Sequence, residues 1–291
     1  MYYFHYQELW TCFLTQLGFK PVVSPPTNKA ILELGLKHCV DGACVAIKSY
    51  IGHALFLAQQ GVPRLFVPQI ISVCPKEYTC PNLLGLPDLL RQYLPTSTEL
   101  LTPILDGRKG EGYLARSYRS FGEVYASRPV VKQAWDLATR VQKAWEQGAY
   151  DLATEPAKLK ILVLGPRYLT DDPFLSGNIF GHLQRLGVEV YTAAQVPGKT
   201  SHQTFVEKRL FWSNARQSLV ALEYLMERME GVVTLSPFGC GAEAFVGALV
   251  ERQTRGQLPH LGINLDEHTS MVGLLTRLEA FCDLLERKKS G

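Results

Sequence analysis

Three features of the 291-residue sequence predict an α/β protein with parallel sheets. Short apolar runs alternate with stretches of helical spacing. Glycine repeatedly marks the passage from helix to strand. Between residues 106 and 158 the strand-like runs disappear and the composition turns helical. Together these imply two Rossmann-like parallel-sheet halves and a helical bridging segment. The domains are expected at residues 1–105, 106–158 (the bridge) and 159–291.

The elements follow in order. Residues 7–17 have helical spacing and stop at Gly18, a natural C-terminal signal. Residues 19–23 read as a strand closed by Ser24-Pro25-Pro26, and Thr27 is placed to cap a helix starting near Asn28. A second helix starts close to Cys44 and runs to Gln60, before Gly61; residues 64–67 form a buried strand leaving at Pro68. In the bridge, Val131, Trp135, Leu137, Val141 and Trp145 give residues 130–146 an apolar face. The later half repeats the plan, with strands at 159–164, 188–191 and 232–235 and a helix over 179–186. Gln16-Leu17-Gly18-Phe19 and Arg185-Leu186-Gly187-Val188 share one helix–glycine–strand pattern, as a duplication would produce; the common punctuation of α/β units produces it too.

Composition narrows the function. A hydrophobic fraction of 46% with 20% charged residues excludes a disordered chain, a collagen-like repeat and a coiled coil. Thirty basic against 27 acidic side chains leave a net charge of +3, too balanced for a strongly basic nucleic-acid binder. No apolar run nears the ~20 residues of a membrane span, and Met1-Tyr2-Tyr3-Phe4-His5-Tyr6 has no basic leader segment. The expectation is a cytoplasmic protein without nucleic-acid or membrane partners.

Seven cysteines, Cys12, Cys39, Cys44, Cys74, Cys80, Cys240 and Cys282, are an odd number for a disulfide framework. Cys12, Cys39 and Cys282 lie in apolar helical surroundings and read as packing residues. The others sit at element ends. Cys240 lies in Ser236-Pro237-Phe238-Gly239-Cys240-Gly241, the exit of a strand, where open parallel sheets bind ligands. Gly239 and Gly241 allow close backbone approach to a bulky group and can offer N–H groups to sulfides. Cys74 and Cys80 follow the corresponding strand of the first half, and Cys44 enters a helix, whose N-terminal dipole stabilises a thiolate. These positions suit thiolate ligation of a cluster and also suit burial of small side chains. The sequence holds no phosphate-binding glycine loop, no dinucleotide fingerprint and no zinc-protease helix. Leu265-Asp266-Glu267-His268-Thr269 leaves another strand and brings Glu267 and His268 forward as catalytic candidates; Cys240 with His268 would make a thiol nucleophile and its base.

Five separated segments carry a resemblance. They are Val23-Ser24-Pro25-Pro26-Thr27-Asn28-Lys29, Ala43-Cys44, Tyr78-Thr79-Cys80-Pro81-Asn82-Leu83-Leu84-Gly85-Leu86-Pro87-Asp88, the segment around Cys240 and the segment around His268. In them the chain resembles the uncharacterised domain family associated with acyl-CoA dehydratase activases, itself similar to 2-hydroxyacyl-CoA dehydratase and double-cubane subunits of anaerobes. The resemblance covers nearly the whole chain and is weakest over residues 106–158. It implies a 4Fe–4S cluster, or a double cubane, held between two domains by three or more thiolates, with Cys44, Cys80 and Cys240 as the ligands; Cys74 is the candidate for a fourth position, which three thiolates would leave open. It further implies electrons from an ATP-dependent activase partner, for low-potential transfer or reduction of a small molecule. Gly42 stands where the family commonly has an acidic residue before Ala-Cys, and the actin-like ATPase portion of longer members is missing, so ATP chemistry is expected in trans. Two rivals stay open: a cluster-free thiol hydrolase or transferase using Cys240 and His268, and a non-catalytic cluster carrier or scaffold. A homodimer is compatible with all three.

Overall fold

The computed structural model describes residues 1–148, 158–196, 206, 210–268 and 271–290. Thr269 and the end of the expected bridge, 149–157, lie outside these residues. The chain is α/β with parallel strands and forms two compact units. Unit 1 comprises Met1–Ala43, Ile47–Gly148 and Phe211–Ser213; unit 2 comprises Cys44–Ala46, Ala149–Leu210 and Asn214–Gly291.

Unit 1 is built from α1 (Tyr3–Gln16), α2 (Lys29–His38), α3 (Val45–Gln59, from Ile47 onward), β1 (Arg64–Phe66), β2 (Gln69–Ser72), α4 (Pro81–Leu84), α5 (Leu86–Tyr93), β3 (Glu99–Leu101), β4 (Ile104–Asp106), α6 (Glu111–Gly122) and α7 (Arg128–Gly148). Residues 19–23 form no strand. Pro21 within them has no N–H to give a ladder, and Val22 and Val23 are exposed. The segment is held instead by His53 of α3, whose ring nitrogens meet the Ser24 and Thr27 hydroxyls at 2.7 and 3.0 Å. The cap of α2 is Asn28 rather than Thr27: its side chain accepts from the Ile31 amide at 3.1 Å. The α2 and α3 backbones touch, since a Cβ on Gly35 would lie 1.8 Å from the Lys48 carbonyl and one on Gly52 2.0 Å from that of Ile31.

The strands of unit 1 form one parallel ribbon in two pieces, β1 with β3 and β2 with β4. The strand expected to leave at Pro68 continues beyond it. Val67 donates to Leu101 and Gln69 to Pro103, both at 2.9 Å, so Pro103 stands where an N–H would reach the Val67 carbonyl. The missing donor breaks the ladder there. Pro68 faces the outer edge, where the ladder loses nothing. Farther along that edge Thr79 covers β2, its amide on the Ile71 carbonyl at 3.0 Å and its hydroxyl on that of Ile70.

Helices α1 and α7 pack along each other. The buried line of α7 is Val131, Ala134, Ala138 and Gln142; it includes Val131 of the residues that the periodicity suggests, but small alanines, not the other large residues, bring the helices close while Trp135 and Val141 flank the seam. Gln142 has a particular task. At Tyr6, α1 leaves helical geometry (φ −131°, ψ 16°). The Gln142 side chain enters this kink, donating to the His5 carbonyl at 2.7 Å and accepting from the Leu9 amide at 3.2 Å. Those two groups would bond each other in an unbroken helix.

Unit 2 contains β5 (Leu159–Leu164), α8 (Arg167–Thr170), α9 (Ile179–Arg185), β6 (Val188–Thr192), α10 (Ser213–Leu225, from Asn214 onward), β7 (Gly231–Pro237), α11 (Gly241–Thr254), β8 (His260–Leu265) and α12 (Met271–Ser290). Its four parallel strands run in the order β6-β5-β7-β8. The chain moves outward from β5 to β6, then returns to β7 on the other side of β5. That reversal makes the carboxyl ends of β5 and β7 the topological switch point. Gly165, leaving β5, passes so close to β7 that a Cβ would lie 2.8 Å from the Leu235 carbonyl. The two faces of the sheet are covered by different helices. A Cβ on Gly231 would meet Phe281 and Leu285 of α12, whereas one on Gly247 of α11 would meet Thr234.

Replacing Gln142 by leucine should remove both side-chain bonds across the kink, the one to the His5 carbonyl and the one from the Leu9 amide. Two lost hydrogen bonds at about 1 kcal/mol each should speed amide exchange over residues 3–16 about 30-fold. Unchanged protection in Gln142→Leu would show that the kink holds itself.

Candidate functional site

All three cysteines expected to hold a cluster precede helices. Cys240 is the N-cap of α11, reached from β7 through Phe238 and Gly239. Gly239 has φ +78°, which a side chain would strain. The tight turn is closed by the Cys240 amide donating to the Pro237 carbonyl at 3.0 Å. Open space lies over both Gly239 and Gly241, with nothing within 4 Å of a Cβ built on either. Cys240 is half-buried and stands at the switch point, where the chain enters a 14-residue helix. Its N-terminal N–H groups favour a thiolate.

Cys44 is buried and immediately precedes α3; by its contacts it belongs to unit 2, as Cys240 does. Cys80 belongs to unit 1, where it is the N-cap of α4 with Pro81 as the first helical residue. Cys74 lies six residues earlier on the same loop, its carbonyl accepting from the Ser72 hydroxyl at 2.6 Å and the Glu77 amide at 3.3 Å. The loop is pinned by the Tyr78 amide, which donates to Phe211 at 2.6 Å. Around it the structure gathers residues that the sequence did not single out. Tyr2 is buried, and its hydroxyl is held far above its ordinary range by desolvation first, then by Cys74, Glu77 and Cys80, against the opposing hydrogen bond of Ser213. Glu77 is fully buried. Cys74, Glu77 and Cys80 thus lie within electrostatic reach of one phenol.

The other sequence candidates separate from this set. Cys282 is buried on α12, its thiol pushed up to about 11 by burial first, then by Asp283 and Glu286, so it carries no thiolate at neutral pH. Cys39 is buried at the end of α2. Burial also raises Cys12. Glu267 and His268 follow β8, the neighbour of β7, and His268 is exposed with its amide held by Asp266 at 2.8 Å. Among the described residues no group of three or more His, Cys, Asp or Glu side chains is gathered so as to hold a metal ion.

A family model described as CoA enzyme activase uncharacterised domain matches residues 1–196, two thirds of the chain. The chain belongs to that family. No curated protein matched the sequence in comparison. Within the match to the CoA enzyme activase uncharacterised domain lie Cys44, Cys74 and Cys80; Cys240, Glu267 and His268 fall beyond it. The matched family ties the chain to activases. No described helix is long and apolar enough to cross a membrane.

Glu243 is a further residue that the sequence reading missed, although its spacing was visible. It lies three residues beyond Cys240, the position from which a glutamate closes a capping box on the N-cap amide. Here the Cys240 amide is already given to Pro237. Glu243 is left in the first turn of α11 with 6% of its surface exposed, and burial alone pushes its carboxyl up to about 7. Unfolded, the group ionises near its ordinary 4.5. Between those values the folded chain keeps a proton that the unfolded chain has lost, so stability falls as pH rises through the window. The full effect is about 3 kcal/mol. Glu243→Gln removes it: the variant should match the parent near pH 4 and melt several degrees higher at pH 8. A difference that stays constant from pH 4 to 8 would place the carboxyl in its ordinary range.

Proposed function

We propose that this chain is an iron–sulfur protein served by an ATP-dependent activase, with Cys44, Cys80 and Cys240 as thiolate ligands of a 4Fe–4S cluster. The observation that carries the reading is the shared placement of these cysteines, each at the start of a helix. At Cys44 and Cys240 the chemistry of the donors fits the group, because free N–H groups at the start of a long helix favour the anionic sulfur; Cys80 precedes a four-residue helix whose first residue, Pro81, has no N–H, and fits as a thiol donor alone. When bound, the cluster supplies one-electron transfer whose potential depends on burial and hydrogen bonds to sulfur. Gly239 and Gly241 keep bulk away from the Cys240 sulfur. Cys74, on the Cys80 loop, is the candidate fourth ligand, and with it the cluster would serve as an electron carrier. With three protein ligands one iron stays open to a small-molecule substrate. The match to the CoA enzyme activase uncharacterised domain supports an activase as the partner, and the reading puts both in the cytoplasm.

A second reading has one observation in its favour. Pro237 and Leu265 are paired neighbours on β7 and β8, and Cys240 and His268 each follow three residues later. A thiol nucleophile with a histidine base would use that arrangement without iron.

Anaerobic purification followed by iron and acid-labile sulfide analysis tests the proposal. About four of each per chain are expected, and near eight would indicate a double cubane. Cys44→Ser, Cys80→Ser and Cys240→Ser should each lose most of the iron, whereas Cys12→Ser and Cys282→Ser should keep it. A chain without iron after reconstitution would overturn the cluster, and selective alkylation of Cys240 would then favour the thiol reading.

A further inference from the structure

We propose that unit 1 docks the carboxylate-rich face of a protein partner on a surface built by Tyr78, Arg108, Lys109, Tyr113, Arg116 and Phe211. The surface starts on the loop that carries Cys74 and Cys80. Glu77 and Thr79 are buried, so Tyr78 between them is turned outward. Its amide is held by the Phe211 carbonyl, and the Arg108 guanidinium lies over its ring, 5.8 Å from the ring centre. Asp106 keeps that guanidinium in place through hydrogen bonds of 2.7–3.0 Å. Lys109 follows, and then Gly110, whose φ of +109° turns the chain into α6. Tyr113 and Arg116, three residues apart, share one face of that helix. The Lys109 ammonium and the Arg116 guanidinium both lie over the Tyr113 ring, at 5.4 and 5.3 Å.

Tyr78, Tyr113 and Phe211 are 41, 45 and 49% exposed. Aromatic residues and arginine are the types that protein interfaces bury at their centres. Among the described residues Lys109 and Arg116 have no ion pair or hydrogen bond, which leaves two cations for the anions of a partner. Asp106 and Glu111 stand among these cations. A nucleic-acid backbone, charged at every step, would meet both as repulsion. Carboxylates on a folded surface are spaced one by one and reach the cations alone. Their attraction sets the rate and orientation of the encounter, and the rings supply the area that holds it. A partner seated here stands against the loop of Cys74 and Cys80. Taking the activase as that partner rests on the function proposed above; the surface itself does not, so its test uses the full chain without added metal.

A decaglutamate peptide with blocked ends is the probe, and the backbone amide resonances of Gly110 and Gly112 are the reporters. Saturable shifts are expected, with a dissociation constant on the order of 0.1–1 mM at about 50 mM salt and about 10-fold weaker binding at about 300 mM. Lys109→Glu combined with Arg116→Glu should weaken the peptide at least about 10-fold. Tyr113→Ala should weaken it about fivefold, whereas Tyr113→Phe, which keeps the ring, should stay within about twofold. Charge reversal of Arg287, Lys288 and Lys289, the basic last turn of α12, should also stay within about twofold. No saturation at about 10 mM peptide, undiminished binding in the Lys109 and Arg116 variant, equal loss in the α12 variant, or tighter binding of a ten-nucleotide oligouridylate would overturn the surface. Peptide binding in a chain that takes up no iron would support the surface and remove the cluster alone.

Discussion

The side-chain amide of Gln142 holds together the part of the molecule that presents two of the cysteines. By bonding both His5 and Leu9 it lets α1 bend at Tyr6 without leaving a peptide group unsatisfied in the interior. The turn before the bend carries Tyr2 into the unit, beside Cys74, Glu77 and Cys80. The rest of α1 continues as an ordinary helix against α7, with Trp10 donating to Tyr118 at 2.8 Å and Phe13 packed against Tyr118 and Trp135.

In unit 2 the comparable constraint is the burial of β7. All seven of its residues are buried, because helices cover both faces and strands flank both edges. Chemistry is therefore displaced to the strand's carboxyl end. There the requirements of a sharp turn (a glycine at positive φ) and of a helix start coincide with Cys240. The same requirements put Glu243 inside, since a residue three places into α11 points back at the sheet. Two ionisable groups of different character thus share one turn of chain, a thiol beside solvent and a carboxyl away from it.

How much of this was legible in the sequence depended on whether local signals sufficed. Residues 159–164 were readable as a strand to the residue because the run is apolar apart from Lys160 and bounded by Gly165-Pro166. The helix start at Cys44 was equally plain from loop punctuation, and Cys240 was readable as a strand exit, though not as the start of α11. Residues 19–23 misled because β-branched residues outweighed the proline among them. The buried seam of α7 was hidden because close packing of two helices favours alanine over the larger residues that dominate a periodicity. Glu77 and Tyr2 left no local trace at all; their significance comes from contacts across some seventy residues. Glu243 was half legible: its capping-box spacing was visible, but the bond that displaces it exists only in the folded turn.

The prolines of the unit 1 ribbon have a consequence beyond the broken ladder. A sheet two strands wide has two free edges, each able to template an added strand from another molecule. The outer edge of β1 and β2 offers little to such an intruder. Pro68 has no donor to give, and the carbonyls of Ile70 and Ile71 are already occupied by Thr79. The loop that carries Cys74 and Cys80 therefore also works as a guard rail, keeping a narrow sheet from growing by self-association.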